Sequence, residues 1–352
     1  KAQAISGVMQ PLMSFVSYFA YAAVCVVGGL LMNAGDIVTY GTITAFLVYV
    51  NLFQSPMSQM AQAMNSLQMA AASAGRVYEF LGEEELYDES GKTRKLLGAD
   101  GREHIRGEVE FKNVHFGYTP EKIIIPDFSA KVKPGMKVAI VGPTGAGKTT
   151  IVNLLMRFYD ADSGSITVDG QEILSLTRAS LRRAYSMVLQ DTWLFSGTVY
   201  ENLAYGKEGV TLEQVRAPAR AAKIDRFIEA LPQGYDTVLR DGGNSISKGQ
   251  RQLLTIARAM LLDAPMLILD EATSNVDTRT ERRIQAAMLR LMEGRTCFVI
   301  AHRLSTIRNA DVIAVLREGT VAECGTHDEL MRRGGYYSEL YRAQFDAAQD
   351  AG

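Results

Sequence analysis

Three short stretches hold residues whose types and spacing could act on phosphates. Residues Gly142, Pro143, Thr144, Gly145, Ala146, Gly147, Lys148 and Thr149 follow the apolar run 138–141 and precede an amphipathic stretch with helical spacing. Glycines let a backbone curl until successive N–H groups point at phosphate oxygens. A lysine then adds a mobile positive charge, and a hydroxyl at the helix start can ligate Mg²⁺. In the second stretch the apolar run 266–269 ends in Asp270 and Glu271. A buried strand there would deliver two carboxylates, Asp270 to hold Mg²⁺ through water and Glu271 to polarise an attacking water as general base. Such a pair alone also fits the cap of a following helix. In the company of the glycine-rich run it points to nucleotide hydrolysis. In the third stretch, Ile246, Ser247, Lys248, Gly249 and Gln250 open a helix predicted over 248–262, where Ser247 reads as the N-cap. A helix start offering a hydroxyl and a glycine amide also suits an anion.

The elements that must position these residues alternate in type. Strands are predicted near 109–116, 137–141, 187–189, 266–269, 297–300 and 312–316, with helical stretches between them. That alternation fits a layered α/β domain over 107–348. Within it, 197–230 is poor in strand signals and reads as a helical insert, part of a helical subdomain over about 191–262. Residues 82–106 mix acids, bases and glycines without apolar periodicity and read as a linker.

Residues 1–81 differ in composition from everything after them. No Lys, Arg, Asp, Glu or His occurs over 2–35 or over 37–75. A hydrocarbon core about 30 Å thick needs roughly 20 apolar residues as a helix, so two transmembrane spans are expected, about 8–32 and 37–60. The chain-wide mean hydropathy of -0.01 averages this part with a water-soluble remainder. Past residue 60 the second helix turns polar and is expected to run on to about Leu81. Gln54, Gln59 and Asn65 along it could line a pathway or make ordinary interhelical contacts. A net charge of -2 argues against a nucleic-acid partner, and Cys25, Cys297 and Cys324 form no metal-like spacing.

The run 246–252, together with the phosphate loop and Glu271, resembles the ABC transporter superfamily, whose LSGGQ signature it is similar to. The resemblance covers essentially the whole chain. It implies that Ser247, Lys248, Gly249 and Gln250 face the γ-phosphate of a nucleotide bound by a second ATPase domain. It further implies Tyr118 as the aromatic under adenine, with a strand-edge tyrosine as the rival reading, and Thr150 as a contact to the α-phosphate. Gln190 resembles the glutamine that touches Mg²⁺ and senses the γ-phosphate, and His302 resembles the switch histidine. Residues 274–277 resemble the segment that crosses the dimer seam, although Asp277 could equally cap a helix. The stretch 193–195 reads as an apolar patch for the membrane domain, or as core. Two departures stand out: Lys248 replaces a glycine, and Arg240, Asp241, Gly242, Gly243 differ from the common G-E-R-G run.

The implied whole is multi-domain, an α-helical transmembrane hairpin followed by an α/β P-loop ATPase domain with a helical subdomain. Its expected catalytic set is Lys148, Gln190, Glu271 and His302, and its expected metal contacts are Thr149, Gln190 and Asp270. ATP and Mg²⁺ are the expected cofactors. The partners would be a second half-transporter, in a homodimer or heterodimer, membrane lipid and a transported substrate of unknown identity. A half-transporter of this family has six spans, so the preceding four are expected to be absent from this chain, either cut away or present elsewhere. The expected function is ATP-driven export across the plasma membrane with the ATPase domain in the cytoplasm. The alternative is an ATP-sensing regulator or scaffold that transports nothing.

Overall fold

The computed structural model describes residues 2–34, 38–83, 89, 91–92, 94–97, 105–190, 192–243, 245–270, 277–300 and 304–343. The chain divides into two units, Lys1–Asp88 and Glu89–Gly352.

The first unit is two helices, α1 (Ala2–Asn33) and α2 (Tyr40–Leu81). Thr39 starts α2 by accepting the Thr42 N–H at 3.3 Å, and Gly82 ends it with its own N–H on Tyr78 O at 2.9 Å. Among the described residues one segment, Ser14–Asn33, is long and apolar enough to cross a membrane. The expected second span therefore differs from its sequence reading. Its helix begins at Tyr40, and its apolar start gives way to Gln54, Ser55, Ser58, Gln59, Gln62 and Asn65, which dilute the apolar length.

The second unit runs β1 (Val109–Thr119), β2 (Lys122–Val132), β3 (Lys137–Val141), α3 (Lys148–Leu155), β4 (Ser163–Val168), β5 (Gln171–Glu172), α4 (Arg178–Arg183) and β6 (Tyr185–Val188). It continues with β7 (Gly197–Thr198), α5 (Val199–Ala204), α6 (Leu212–Ala221), α7 (Asp225–Glu229), β8 (Val238–Leu239) and α8 (Lys248–Leu262). The rest is β9 (Met266–Asp270), α9 (Thr278–Met292), β10 (Thr296–Ile300), α10 (Leu304–Arg308), β11 (Val312–Arg317), β12 (Thr320–Gly325), α11 (His327–Arg333) and α12 (Tyr336–Tyr341).

Its main sheet has the order β12-β11-β3-β10-β9-β6, all parallel except β12, and a second, antiparallel sheet has the order β2-β1-β4-β5. The parallel strands are apolar along their length because both faces are covered. In β3, Val138 and Ile140 enter the core shared with the antiparallel sheet and α3, whereas Ala139 and Val141 enter the core shared with α8 and α9. Met266 and Ile268 against Leu267 and Leu269 repeat that division in β9. A central sheet packed on both faces is held rigid. Its strand ends are then fixed points for loops.

One sequence expectation changes here. From Glu89 onward the stretch read as linker belongs to the second unit. Among its described residues, Thr177 donates to Arg94 O at 3.1 Å, Leu96 to Ser180 Oγ at 2.7 Å and Arg106 to Asp169 Oδ2 at 2.7 Å. Leu96 is also buried in the core. The lack of apolar periodicity reflects docking through backbone polar groups, for which a charged composition gives no signal.

Candidate functional site

The strand order brings the chemistry to one edge. β3, β9 and β6 are parallel and end, in turn, at the glycine-rich loop, at Asp270 and two residues before Gln190. β10 lies between β3 and β9, with Ile300 in register with both Ile140 and Asp270. Ligands of open parallel sheets collect at such carboxyl ends. Glu271 and residues 274–276, like His302, lie outside the described residues.

The loop after β3 closes on itself before α3. Ala146 donates to Pro143 O at 3.2 Å, and Gly147 is the N-cap of α3 with left-handed backbone and no side-chain cap bond. Gly142 admits no side chain, since a Cβ there would stand 2.5 Å from the backbone oxygen of Leu316 on β11. The amides at the start of α3 thus remain available to an anion, with the helix dipole favouring negative charge. Lys148 folds back over the loop, donating from Nζ to Gly142 O at 2.8 Å and to Pro143 O at 3.0 Å. Burial lowers its pKa, and the Asp270 carboxylate opposes that fall. A cation and a carboxylate thus share the site. Thr149 is exposed at the loop's rim, and Gln190 is exposed as well.

Thr150 is buried, and its hydroxyl is not free of partners: Tyr118 Oη lies 3.2 Å away. Asn153 Nδ2 also donates to that phenol at 3.3 Å. The Tyr118 ring meets Phe116 and Tyr159 edge-on, at centroid distances of 5.1 and 5.0 Å, and stays 42% exposed. Neither neighbour lies parallel to the Tyr118 ring, with interplanar angles of 82° and 87°. Tyr159 is a member of this aromatic group that the sequence did not single out. Its only signal was position after the phosphate-loop helix.

Ser247 caps α8 in full. Its Oγ accepts the Gln250 N–H at 3.3 Å while Gln250 Oε1 accepts the Ser247 N–H at 2.8 Å. Gly249 is buried and Lys248 half-buried at this helix start. Upstream, Gly242 adopts φ 67°, a left-handed backbone that disfavours the arginine of the common run. Asp277 is the N-cap of α9, accepting the Thr280 N–H at 2.9 Å, and that bond holds its pKa below the usual carboxylate value. The capping geometry is plain in the structure.

The stretch 193–195 divides between two environments. Leu194 is core, whereas Trp193 is 58% exposed and forms an aromatic cluster with Phe195 and Tyr205. Arg258, on α8, stitches this cluster by donating to Trp193 O at 3.2 Å and Asn202 O at 2.7 Å, with its guanidinium 5.4 Å from the Tyr205 ring centre. One helix therefore carries the Ser247 segment at its start and holds the aromatic patch further along.

Comparison with known proteins follows the same lines. The family model described as "ABC transporter" matches residues 125–274. The chain is 51% identical over 342 residues to the "Fatty acid ABC transporter ATP-binding/permease protein" of Mycobacterium tuberculosis, covering 97% of this chain and 53% of that protein. It is 44% identical over 334 residues to the "ATP-dependent lipid A-core flippase" of Desulfotalea psychrophila, covering 95% of this chain and 57% of the relative. Among solved structures, "Structure of a bacterial Atm1-family ABC exporter with ATP bound" matches with a TM-score of 0.69 and 35% identity, over 97% of this chain and 58% of that one. The chain spans about half the length of the curated relatives it matches.

Proposed function

We propose that the chain belongs to the ABC transporter superfamily, exporter type, and that it is the ATP-consuming end of an ATP-driven exporter. The carrying observation is the convergence of the phosphate loop and Lys148 after β3 with Asp270 at the end of β9, on either side of β10, in a chain that also presents a capped Ser247 segment.

Tyr118 stacks on the adenine, the amides over 142–149 and Lys148 hold the phosphates, and Thr150 contacts the α-phosphate. The substrate would be MgATP, and Thr149, Gln190 and Asp270 are the residues that would hold its ion, which would neutralise phosphate charge. Glu271 is the general base for the attacking water, and His302 and Gln190 contact the γ-phosphate. Ser247, Lys248, Gly249 and Gln250 complete the site of a second copy or of a related half-transporter, with Asp277 near the seam. Closing and reopening of that sandwich switches the membrane domain between inward and outward states. The helices of the first unit lie in the plasma membrane, in contact with lipid, as part of a larger membrane domain, and the ATPase unit is cytoplasmic. Relatives named for a fatty acid and for lipid A-core make an amphiphile with an acyl chain the substrate class of choice.

The test is ATPase activity of the full-length protein in liposomes. Loss of a general base typically costs about 10²- to 10⁴-fold in rate, so Glu271→Gln is expected to abolish most turnover while ATP still binds. An unchanged rate in that variant refutes the mechanism.

A further inference from the structure

Glu89 stands eight residues past Leu81, the end of α2, and its carboxylate is gripped from two directions. Oε1 pairs with Arg157 Nη1 at 2.8 Å and with Arg178 Nη1 at 3.0 Å, while Oε2 accepts the backbone N–H of Arg178 at 2.8 Å. Lys92 Nζ lies 3.5 Å from Oε1 and donates to Leu174 O at 2.8 Å. Arg157 is only 2% exposed, and its guanidinium also donates to Asp160 Oδ1 and Leu176 O, both at 2.8 Å. Asp160 reaches Arg178 as well, at 3.5 Å. Two guanidinium charges withdrawn from water thus face two carboxylates. Without Glu89 one of those charges loses its counter-ion, the costly outcome for a buried pair.

The position of these arginines gives the ion pair a meaning beyond local packing. Arg157 directly follows Met156, the C-cap of α3, and α3 begins at Lys148 of the phosphate loop. Arg178 opens α4, whose C-cap Ala184 runs straight into β6 and on to Gln190. Glu89 is therefore bound to the far ends of the two elements whose near ends carry nucleotide-facing residues. We propose that Glu89 is a positioning residue that ties the chain leaving α2 to the far ends of α3 and α4 and so restrains where that chain enters the second unit. The chain after Glu89 is seated on the same elements through Arg94 O and the Leu96 N–H.

This rests on the reading of the second unit as an ATPase that drives a membrane domain, but its test is made without nucleotide. Full-length protein in liposomes, with exposed Cys25 and Cys324 replaced by Ser, is spin-labelled at Tyr78→Cys on α2 and Leu289→Cys on α9. Spin dilution with unlabelled protein isolates the distance within one chain. Glu89→Gln keeps the side-chain size and removes the charge. It is expected to broaden the distance distribution roughly twofold, with kcat and the KM for ATP within about twofold of the parent. An unchanged distribution overturns the proposal. If Glu89→Gln abolishes ATP binding, the same distance is read in Glu89→Asp, where broadening supports the tie and an unchanged distribution overturns it. An ATPase rate indifferent to Glu271→Gln would instead refute the proposed function and leave the distance result standing.

Discussion

Substitution of Ser247 separates two roles that its position superimposes. Within the chain it caps α8, with its Oγ on the Gln250 N–H at 3.3 Å. Loss of a serine cap to alanine costs about 1 kcal/mol, which for a unit of this size lowers Tm by roughly 2–4 °C. Ser247→Ala is thus expected to be folded and modestly less stable. Ser247→Asp keeps a capping oxygen and adds a negative charge at a helix start, worth about 0.3–1 kcal/mol in its favour, so its Tm should equal or exceed that of the parent. If the segment also meets the triphosphate of a second copy, that same charge faces the γ-phosphate. One like-charge pair at about 4 Å and an effective dielectric near 20 costs roughly 4 kcal/mol, or about 10³-fold in rate. Thermal unfolding and ATPase activity of the full-length protein in liposomes are measured side by side. Ser247→Asp should unfold like the parent and hydrolyse ATP about 10³-fold more slowly. If it retains the parent rate, Ser247 is a cap and nothing more, and the two-copy site is wrong.

Two further outcomes follow from the geometry. In Gly142→Ala the new Cβ meets the backbone of β11, 2.5 Å from Leu316 O, so strand or loop must shift at a cost of about 1–3 kcal/mol, and the Lys148 anchor on Gly142 O moves with it. Gly145→Ala has open space and bears only the left-handed backbone penalty of about 1–2 kcal/mol at φ 84°. The KM for ATP should rise more in the first variant than in the second, and the reverse order would contradict the steric argument. For Glu89, burial alone would raise the pKa, but the Arg178 N–H together with Arg157, Arg178 and Lys92 outweighs it, and the net direction is downward. A depressed carboxylate stabilises the fold at pH above its unfolded value of 4.5 and ceases to do so as pH falls through the lower folded value. The stability gap between the parent and Glu89→Gln, followed by thermal unfolding, should therefore be full above that pH and close on acidification. A gap that widens in acid would refute the charge pairing.

The sequence was most legible where function is local. Residues 137–150 carry their own strand, turn and helix start, and the structure has β3 and α3 at those places. Ser247 and Gln250 are three residues apart, so their capping box can be read without knowledge of the fold. The antiparallel strands β2, β4 and β12 gave no comparable signal. β1 and β2 pair with repeated register shifts, which break the alternation that would announce a half-buried strand. Nor could spacing reveal that β10 separates β3 from β9, since parallel order is settled by crossovers rather than by local residue type.

The stretch read as linker shows why composition fails at such places. A run holding Glu83, Glu84, Glu85 and scattered bases looks solvated because charge is normally found in water. Glu89 departs from that rule only because Arg157 and Arg178, 68 and 89 residues further on, supply counter-charges inside the fold. Each partner taken singly looks like a surface residue. Arg157 even adopts a left-handed backbone at φ 53°, which no local motif calls for and which the seating of its guanidinium among Glu89, Asp160 and Leu176 O accompanies. The phosphate loop is thus readable at its ligand end and opaque at its opposite end. That opposite end is where the chain arriving from α2 is fastened.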